Sequence, residues 1–237
     1  MAGSPPSRGE TSTPTNMLQF PILRLTAALA LVASAGIAPL SAQLGALPAD
    51  EWAITLESGR RLERLDIENV VARMNLQSGD VVADIGAGTG VFTLPIARVV
   101  GDIGTVYGVE VDPAFLPMID RKMHPRGIHH VVPVLGEFAD PKLPTRNVDV
   151  AFLHDTLHHI EGREAYLRTL AGYMAPGSRI VVVDYDMNHP DAAHRDDPTM
   201  LISQEMVTKW MRGAGFELRE EVDLFDEKFY VIYQKVQ

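Results

Sequence analysis

The 237-residue chain contains no cysteine. That excludes disulfides, thiolate zinc sites and cysteine nucleophiles. It leaves an oxidising compartment open, because no thiol is there to oxidise. Positive charge is scarce: 21 Lys and Arg stand against 31 Asp and Glu, a formal net charge of -10. An acidic protein is repelled by phosphate backbones, and no basic stripe offsets this, so nucleic acid is not an expected partner. The apolar run from Leu25 to Leu40 is shorter than the ~20 residues of a spanning helix. No internal repeat is present. What remains is a foldable balance, 46% hydrophobic and 22% charged, enough for one α/β domain with extras.

Residues 1–16 are rich in Ser, Thr, Pro and Gly and are expected as a disordered extension. Met17 offers an alternative start. Residues 17–42 read as a signal peptide or membrane anchor: Arg24 precedes the apolar run, and Pro39, Ser41 and Ala42 follow it. Cleavage after Ala42 fits the pattern except at Leu40, where a smaller residue is preferred. A buried N-terminal helix is opposed by Pro39 and by the lack of polar positions. Arg8 and Arg24 before the run, and Asp50, Glu51 and Glu57 after it, put the main domain outside. The expectation is an exported or membrane-anchored protein, with membrane association through this segment. If the segment is unused, the chain stays cytoplasmic.

Leu62, Leu65, Val70, Val71 and Met74 recur at helical spacing, so residues 43–75 are expected as an N-terminal helical cover on a domain over 76–237. Short β runs then alternate with helical ones. Strands are expected at 81–85, 104–110, 128–135, 148–153 and 179–185. Helices are expected at 90–100, from Pro113 as an N1 proline, at 161–174 with a stop at Pro176 and Gly177, and from a Ser203 cap to Arg212. Alternation implies a parallel sheet with right-handed crossovers. The tail breaks that rule. Runs 216–225 and 228–236 are separated by Asp226 and Glu227 alone, a link that permits only an antiparallel hairpin.

The chemistry centres on VVADIGAGTG, residues 81–90. A buried strand delivers Asp84, and Gly86, Gly88 and Gly90 turn the chain into a helix. Ligands of open α/β sheets bind at such strand ends, and glycines let backbone pass close to them. A dinucleotide fingerprint would be G-x-G-x-x-G, but here the third glycine comes one residue early and Val91 takes its place. Asp84 would repel a pyrophosphate and suits a cationic ligand such as S-adenosylmethionine, which carries an ammonium and a sulfonium. Glu110, 20 residues after Gly90, ends the second strand, where a carboxylate accepts hydrogen bonds from ribose hydroxyls. Asp112 is the competing acid, or else a helix cap. Gly136 and Glu137 end the third strand, and Phe138 is either a platform for adenine or a core residue.

These segments, with DVAFLHDTLHHI and YMAPGSRIVVVDY, resemble the successive motifs of class I S-adenosylmethionine-dependent methyltransferases. The nearest likeness is to the small-molecule branch with ubiquinone/menaquinone-type and arsenite-type enzymes, and it covers residues 60–237. The lack of cysteine departs from the arsenite-type pattern. The resemblance implies an α/β, Rossmann-like three-layer sandwich, with a mostly parallel seven-stranded sheet and an antiparallel C-terminal hairpin. It implies a methyl acceptor that is a small molecule. Asp84 would hold the methionine end, Glu110 the ribose, and Glu137 with Phe138 the adenine. His154 and Asp155 would lie by the methionine moiety and the substrate mouth. The cofactor wall is thus expected from Asp84, Gly86, Ala87, Gly88, Gly90, Glu110, Val111, Glu137, Phe138 and His154.

His154, Asp155, His158 and His159 crowd the fourth strand's end. They admit metal ligation, a general base or plain backbone satisfaction. No metal is expected. Methyl transfer from a sulfonium can proceed by positioning, so no residue is assigned as catalytic. The polar loop 186–199, with His189, Asp191, His194, Asp196 and Asp197, is either a cover for the substrate or a solvated connection. Trp52 and residues 50–66 are placed over the cofactor by the resemblance, with Arg60 or Arg61 for its carboxylate. Two other functions stay open: an NAD-dependent oxidoreductase, and a non-catalytic cofactor-binding module.

Overall fold

The computed structural model describes residues 47–236. The expected extension and the apolar segment 17–42 lie outside them. Among the described residues no helix is long and apolar enough to cross a membrane.

Three helices come first: α1 (Ala49–Leu56), α2 (Gly59–Leu65) and α3 (Ile67–Arg73). The expected single helical stretch is broken at Asp66, whose φ of 44° is left-handed. The α/β alternation follows as β1 (Val81–Ile85), α4 (Thr93–Val100), β2 (Thr105–Glu110), α5 (Leu116–Met123), β3 (Val131–Leu135), β4 (Val148–His154), α6 (Arg163–Ala171) and β5 (Met174–Tyr185). The chain closes with α7 (Gln204–Gly213), β6 (Phe216–Glu221) and β7 (Lys228–Lys235). Ser203 caps α7 by accepting from the Met206 N–H, as its position in sequence implies.

Strand order is β3-β2-β1-β4-β5-β7-β6. The first five strands are parallel, while β7 runs antiparallel to both β5 and β6. Alternation along the strands builds three layers. Ala151 and Leu153 of β4, with Ile180 and Val182 of β5, face α6 and α7. Their neighbours Val150, Phe152, Val181 and Val183 face α3 and α4. The central strands are buried on both sides, which explains their continuous apolar runs.

Three sequence expectations shift. Pro113 does not open α5. Asp112 Oδ1 accepts from the Ala114 N–H at 2.9 Å and caps a separate turn, so α5 starts at Leu116 with Pro117 in its first turn. Pro176 and Gly177 do not follow α6 as a loop. They lie inside β5, where the register steps from Val148↔Met174 to Val150↔Arg179. A bulge there accommodates both the missing proline N–H and the φ of 71° at Gly177. The strands stop at Glu221 and restart at Lys228, so the link is residues 222–227 rather than two residues; Val222 still donates its N–H to the Tyr230 carbonyl at 2.8 Å, and Val222, Leu224 and Phe225 pack into the α3/α4 layer.

The helical cover is tied to the sheet by Tyr230, whose hydroxyl donates to the Val70 carbonyl at 2.8 Å in a buried setting. Tyr230→Phe strands that carbonyl. It should lower stability by about 1 kcal/mol, read as a lower urea midpoint at unchanged slope.

Candidate active site

The glycine turn owes its shape to two contacts. Asp84 lies on the same face of β1 as Val82, which points it towards α4. Its Oδ2 accepts from Thr93 Oγ1 at 2.6 Å. Burial pushes the Asp84 carboxyl up to about 7, against the pull of that hydrogen bond. On the other side, Gly86 has a φ of 74°, and a Cβ there would stand 2.5 Å from Thr156 Oγ1. Glycine is required at this position both for conformation and for space.

A cavity of about 570 Å³ opens over this turn, at the carboxyl ends of β1, β2 and β4. That size is ordinary for a small-molecule site. Gly86, Gly88, Glu110, Val111, Glu137, Phe138 and His154 line it, so seven of the ten expected positions share one cavity. Asp84, Ala87 and Gly90 are not in the lining. Ala87 and Gly90 pack towards Ile119 and Met123 of α5. Asp84 stands behind the turn and braces it, because strand parity turns its side chain to Thr93. The expected direct hold on a methionine end is not what this geometry offers.

Glu110 is buried at the tip of β2. Its carboxylate accepts from the Gly88 N–H at 2.5 Å and from the Val111 N–H at 3.1 Å. Burial raises its pKa and those two donors pull it down, with the net shift upward. Both bonds leave lone pairs for further donors. Glu137 stands exposed on the cavity wall, paired with Lys142 at 3.1 Å, and Phe138 beside it is also exposed.

The opposite wall comes from β4 and the cover. His154 stacks on Phe92 with ring centroids 4.5 Å apart, and its buried Nε2 has no partner. Burial lowers its pKa despite Asp155, whose Oδ2 lies 3.4 Å from Nδ1. Asp155 sits at a φ of 50° and is gripped by Lys228 Nζ at 2.8 Å, with Arg61 at 3.8 Å. Burial alone would raise the Asp155 carboxyl, but His154 and Lys228 hold it well below the usual carboxylate range. Trp52, Leu56 and Arg61 bring the cover into the lining, while Arg60 is exposed and outside it. Trp52 Nε1 is buried without a partner.

A family model described as a methyltransferase domain matches residues 83–182, from the glycine turn through β5. This match, with the strand order and the glycine turn, supports a class I, Rossmann-like methyltransferase fold. A demethylmenaquinone methyltransferase from Anoxybacillus flavithermus is 26% identical over 117 residues, 49% of each chain. A ubiquinone/menaquinone biosynthesis C-methyltransferase from Azotobacter vinelandii is 26% identical over 125 residues, 52% of this chain and 49% of its own. The chain thus spans about half the length of these curated relatives. Among solved structures, a SAM-dependent methyltransferase from Aquifex aeolicus aligns with a TM-score of 0.71 at 24% identity, over 80% of this chain and all of its own. A magnesium protoporphyrin IX methyltransferase from Synechocystis aligns with a TM-score of 0.60 at 17% identity, over 79% and 90%. The oxidoreductase alternative finds no support in these matches.

S-adenosylmethionine fits the residues present. Glu110 offers acceptors for a ribose diol, and the Gly86 and Gly88 backbone lines the cavity beside it with no side chain between. His154 is held neutral, which a sulfonium tolerates, and the Trp52 indole lacks an acceptor that a carboxylate would supply.

Sequence reasoning missed Lys228 as the partner of Asp155, 73 residues away, and Asp184 as the partner of His158, whose Nδ1 lies 2.6 Å from Asp184 Oδ1. Neither pair has a local signal. Both depend on the sheet order, in which β5 lies between β4 and β7.

The Asp84 carboxyl binds its proton more tightly folded than unfolded. Its contribution to stability is full below the ordinary value of 3.8 and is lost as pH rises through about 7. The unfolding free energy of wild type minus that of Asp84→Asn should therefore fall between those limits. Urea titrations at a series of pH values would show it; a pH-independent difference would mean that Asp84 is not desolvated.

Proposed function

We propose that the domain transfers a methyl group from S-adenosylmethionine to a small-molecule acceptor by direct displacement. The observation that carries this reading is the shared wall of one cavity, with Glu110 and the Gly86–Gly88 turn side by side inside the matched domain. When bound, the cofactor supplies a methyl group on a sulfonium carbon. Glu110 accepts from the ribose hydroxyls, and Phe138 with Glu137 flanks the base. Trp52 Nε1 and Arg61 donate to the carboxylate. Neutral His154 keeps positive charge away from the sulfonium. The cover over the cavity excludes water and fixes the approach of the nucleophile, the part of the barrier that positioning lowers. Relatives named for quinone methylation make ring-bearing molecules the acceptors to screen first. We further propose that residues 17–42 export or anchor the domain; their charge flanks support that reading.

Calorimetry with S-adenosylhomocysteine and with NADH tests the cofactor. The first should bind and the second should not. Glu110→Gln should weaken S-adenosylhomocysteine binding about 10- to 100-fold, the effect of losing charge-assisted hydrogen bonds of roughly 1.5–3 kcal/mol. Binding of NADH alone would overturn the reading.

A further inference from the structure

His154 and His158 stand at and just after the end of β4, and the chain treats them differently. His158 lies outside the cavity lining and has a carboxylate of its own. Asp184, fully buried at the end of β5, takes its Nδ1 at 2.6 Å and its backbone N–H at 3.2 Å. His154 does line the cavity, beside Asp155. Its two ring nitrogens are buried, and neither has a hydrogen-bond partner. Asp155 Oδ2 stands 3.4 Å from its Nδ1, yet that carboxylate is turned to another cation. Lys228 Nζ lies 2.8 Å from Oδ1 and 3.0 Å from Oδ2.

The sheet holds Lys228 where it can do this. It opens β7, in register with Tyr185 at the end of β5. Its side chain is only 4% exposed, with the Tyr185 ring 4.5 Å and the Phe225 ring 5.5 Å from Nζ. A cation so buried needs a counter-ion, and Lys228 takes Asp155. Arg61 of α2 stays 3.8 Å from the same carboxylate, beyond hydrogen-bond range. The charged groups that face His154 are thus Asp155, Lys228 and Arg61. The rings around it, Phe92, Phe152 and Phe225, carry no charge. Burial lowers the His154 pKa, Asp155 opposes this, and Lys228 and Arg61 lower it further.

Resting on the methyltransferase reading, we propose that Lys228 is a positioning residue that sets how the site discriminates by charge: by claiming Asp155 it denies His154 a counter-ion and keeps positive charge out of the wall where the sulfonium is to stand. S-adenosylmethionine bears that positive charge, and S-adenosylhomocysteine does not. Without Lys228, Asp155 turns to His154, and the pair takes up a proton as imidazolium and carboxylate. Lys228 lies behind Asp155 and is not in the cavity lining, whereas His154 is. The positive charge therefore moves into the wall, where it repels the cationic cofactor and spares the neutral product. The effect falls on binding. The sulfonium loses its charge on the way to the transition state, so a neighbouring cation weakens the bound cofactor more than the transition state.

The test uses the full chain and first follows the His154 ring by NMR titration with no cofactor present. In wild type and in Lys228→Arg the ring should be neutral at neutral pH. In Lys228→Gln it should take its proton at a higher pH. Calorimetry then gives the dissociation constant of S-adenosylmethionine over that of S-adenosylhomocysteine, from about pH 8 to about pH 6. That ratio should stay constant in wild type and in Lys228→Arg. In Lys228→Gln it should rise about tenfold as pH falls, the scale of one charge added about 10 Å from another. Adding His154→Asn to Lys228→Gln should flatten it again. Asp155→Asn serves if Lys228→Gln fails to fold: with Lys228 uncompensated, the ratio should be raised at every pH. A wild-type His154 already protonated at neutral pH overturns the proposal. So does a pH-independent ratio in folded Lys228→Gln, or a ratio that Asp155→Asn leaves unchanged. Failure of wild type to bind either ligand would instead overturn the methyltransferase reading beneath it, with the His154 titration still readable.

Discussion

The hydrogen bond from Thr93 to Asp84 is the contact on which the site stands. It joins the end of the central strand to the first turn of α4, across the loop that carries three glycines. Burying a carboxyl there is unfavourable unless it is hydrogen-bonded or protonated, and Asp84 uses both routes. The consequence is a turn fixed in position, which lets the Gly88 N–H reach Glu110. Backbone bonds from Gly86 and Ala87 to the Val109 carbonyl hold the rest of the turn, and the Thr93–Asp84 bond fixes its far end.

From that turn outward, the cavity divides by charge. One wall holds Glu110, kept in place by backbone donors. The other holds Asp155, kept ionised by Lys228. Between them His154 is neutral because burial outweighs the nearby carboxylate. Lys228 also lies 4.5 Å from the centre of the Tyr185 ring and 5.5 Å from that of Phe225, so its charge is shared between a carboxylate and two aromatic faces. The result is a site in which fixed charges are compensated before any ligand arrives, and the groups left over are neutral imidazoles and an indole. Such neutral groups tolerate a cationic sulfonium.

Much of this was legible in the sequence because periodicity and parity are local. The strand runs, the Ser203 cap and the reversed final pair follow from patterns within a few residues of each other. The glycine turn and Glu110 were legible because strand ends in an α/β sheet converge on one place. Asp84 shows the limit. The sequence puts it at the right strand end, but only packing against α4 shows that its side chain faces Thr93 rather than the cavity. Pro176 and Gly177 show another limit. They are ordinary helix-stop residues, and the bulge that absorbs them into β5 depends on pairing with β4. The Lys228–Asp155 and Asp184–His158 pairs were beyond reach, since each joins elements that are far apart in the chain.

The cover completes the site by weaker means than those that hold the turn. Glu57 pairs with Lys122 at 2.6 Å, Arg61 with Asp155 at 3.8 Å, and Arg64 with Glu227 at 3.1 Å. These links span the cavity from α5 to the hairpin; Arg64–Glu227 is the most open to solvent, and a pair of that kind stabilises by only about 0–1 kcal/mol. The helices α1 and α2 are short and bury little, with Ala49 and Leu65 as their buried residues. Segments with few buried apolar contacts open at low free energy. The wall that carries Trp52, Leu56 and Arg61 is thus the part able to move aside, while Glu110 and the glycine turn stay fixed to the sheet. A ligand that satisfies the Trp52 indole and touches both walls would close the cover by its own binding, since it would bind the closed arrangement better than the open one.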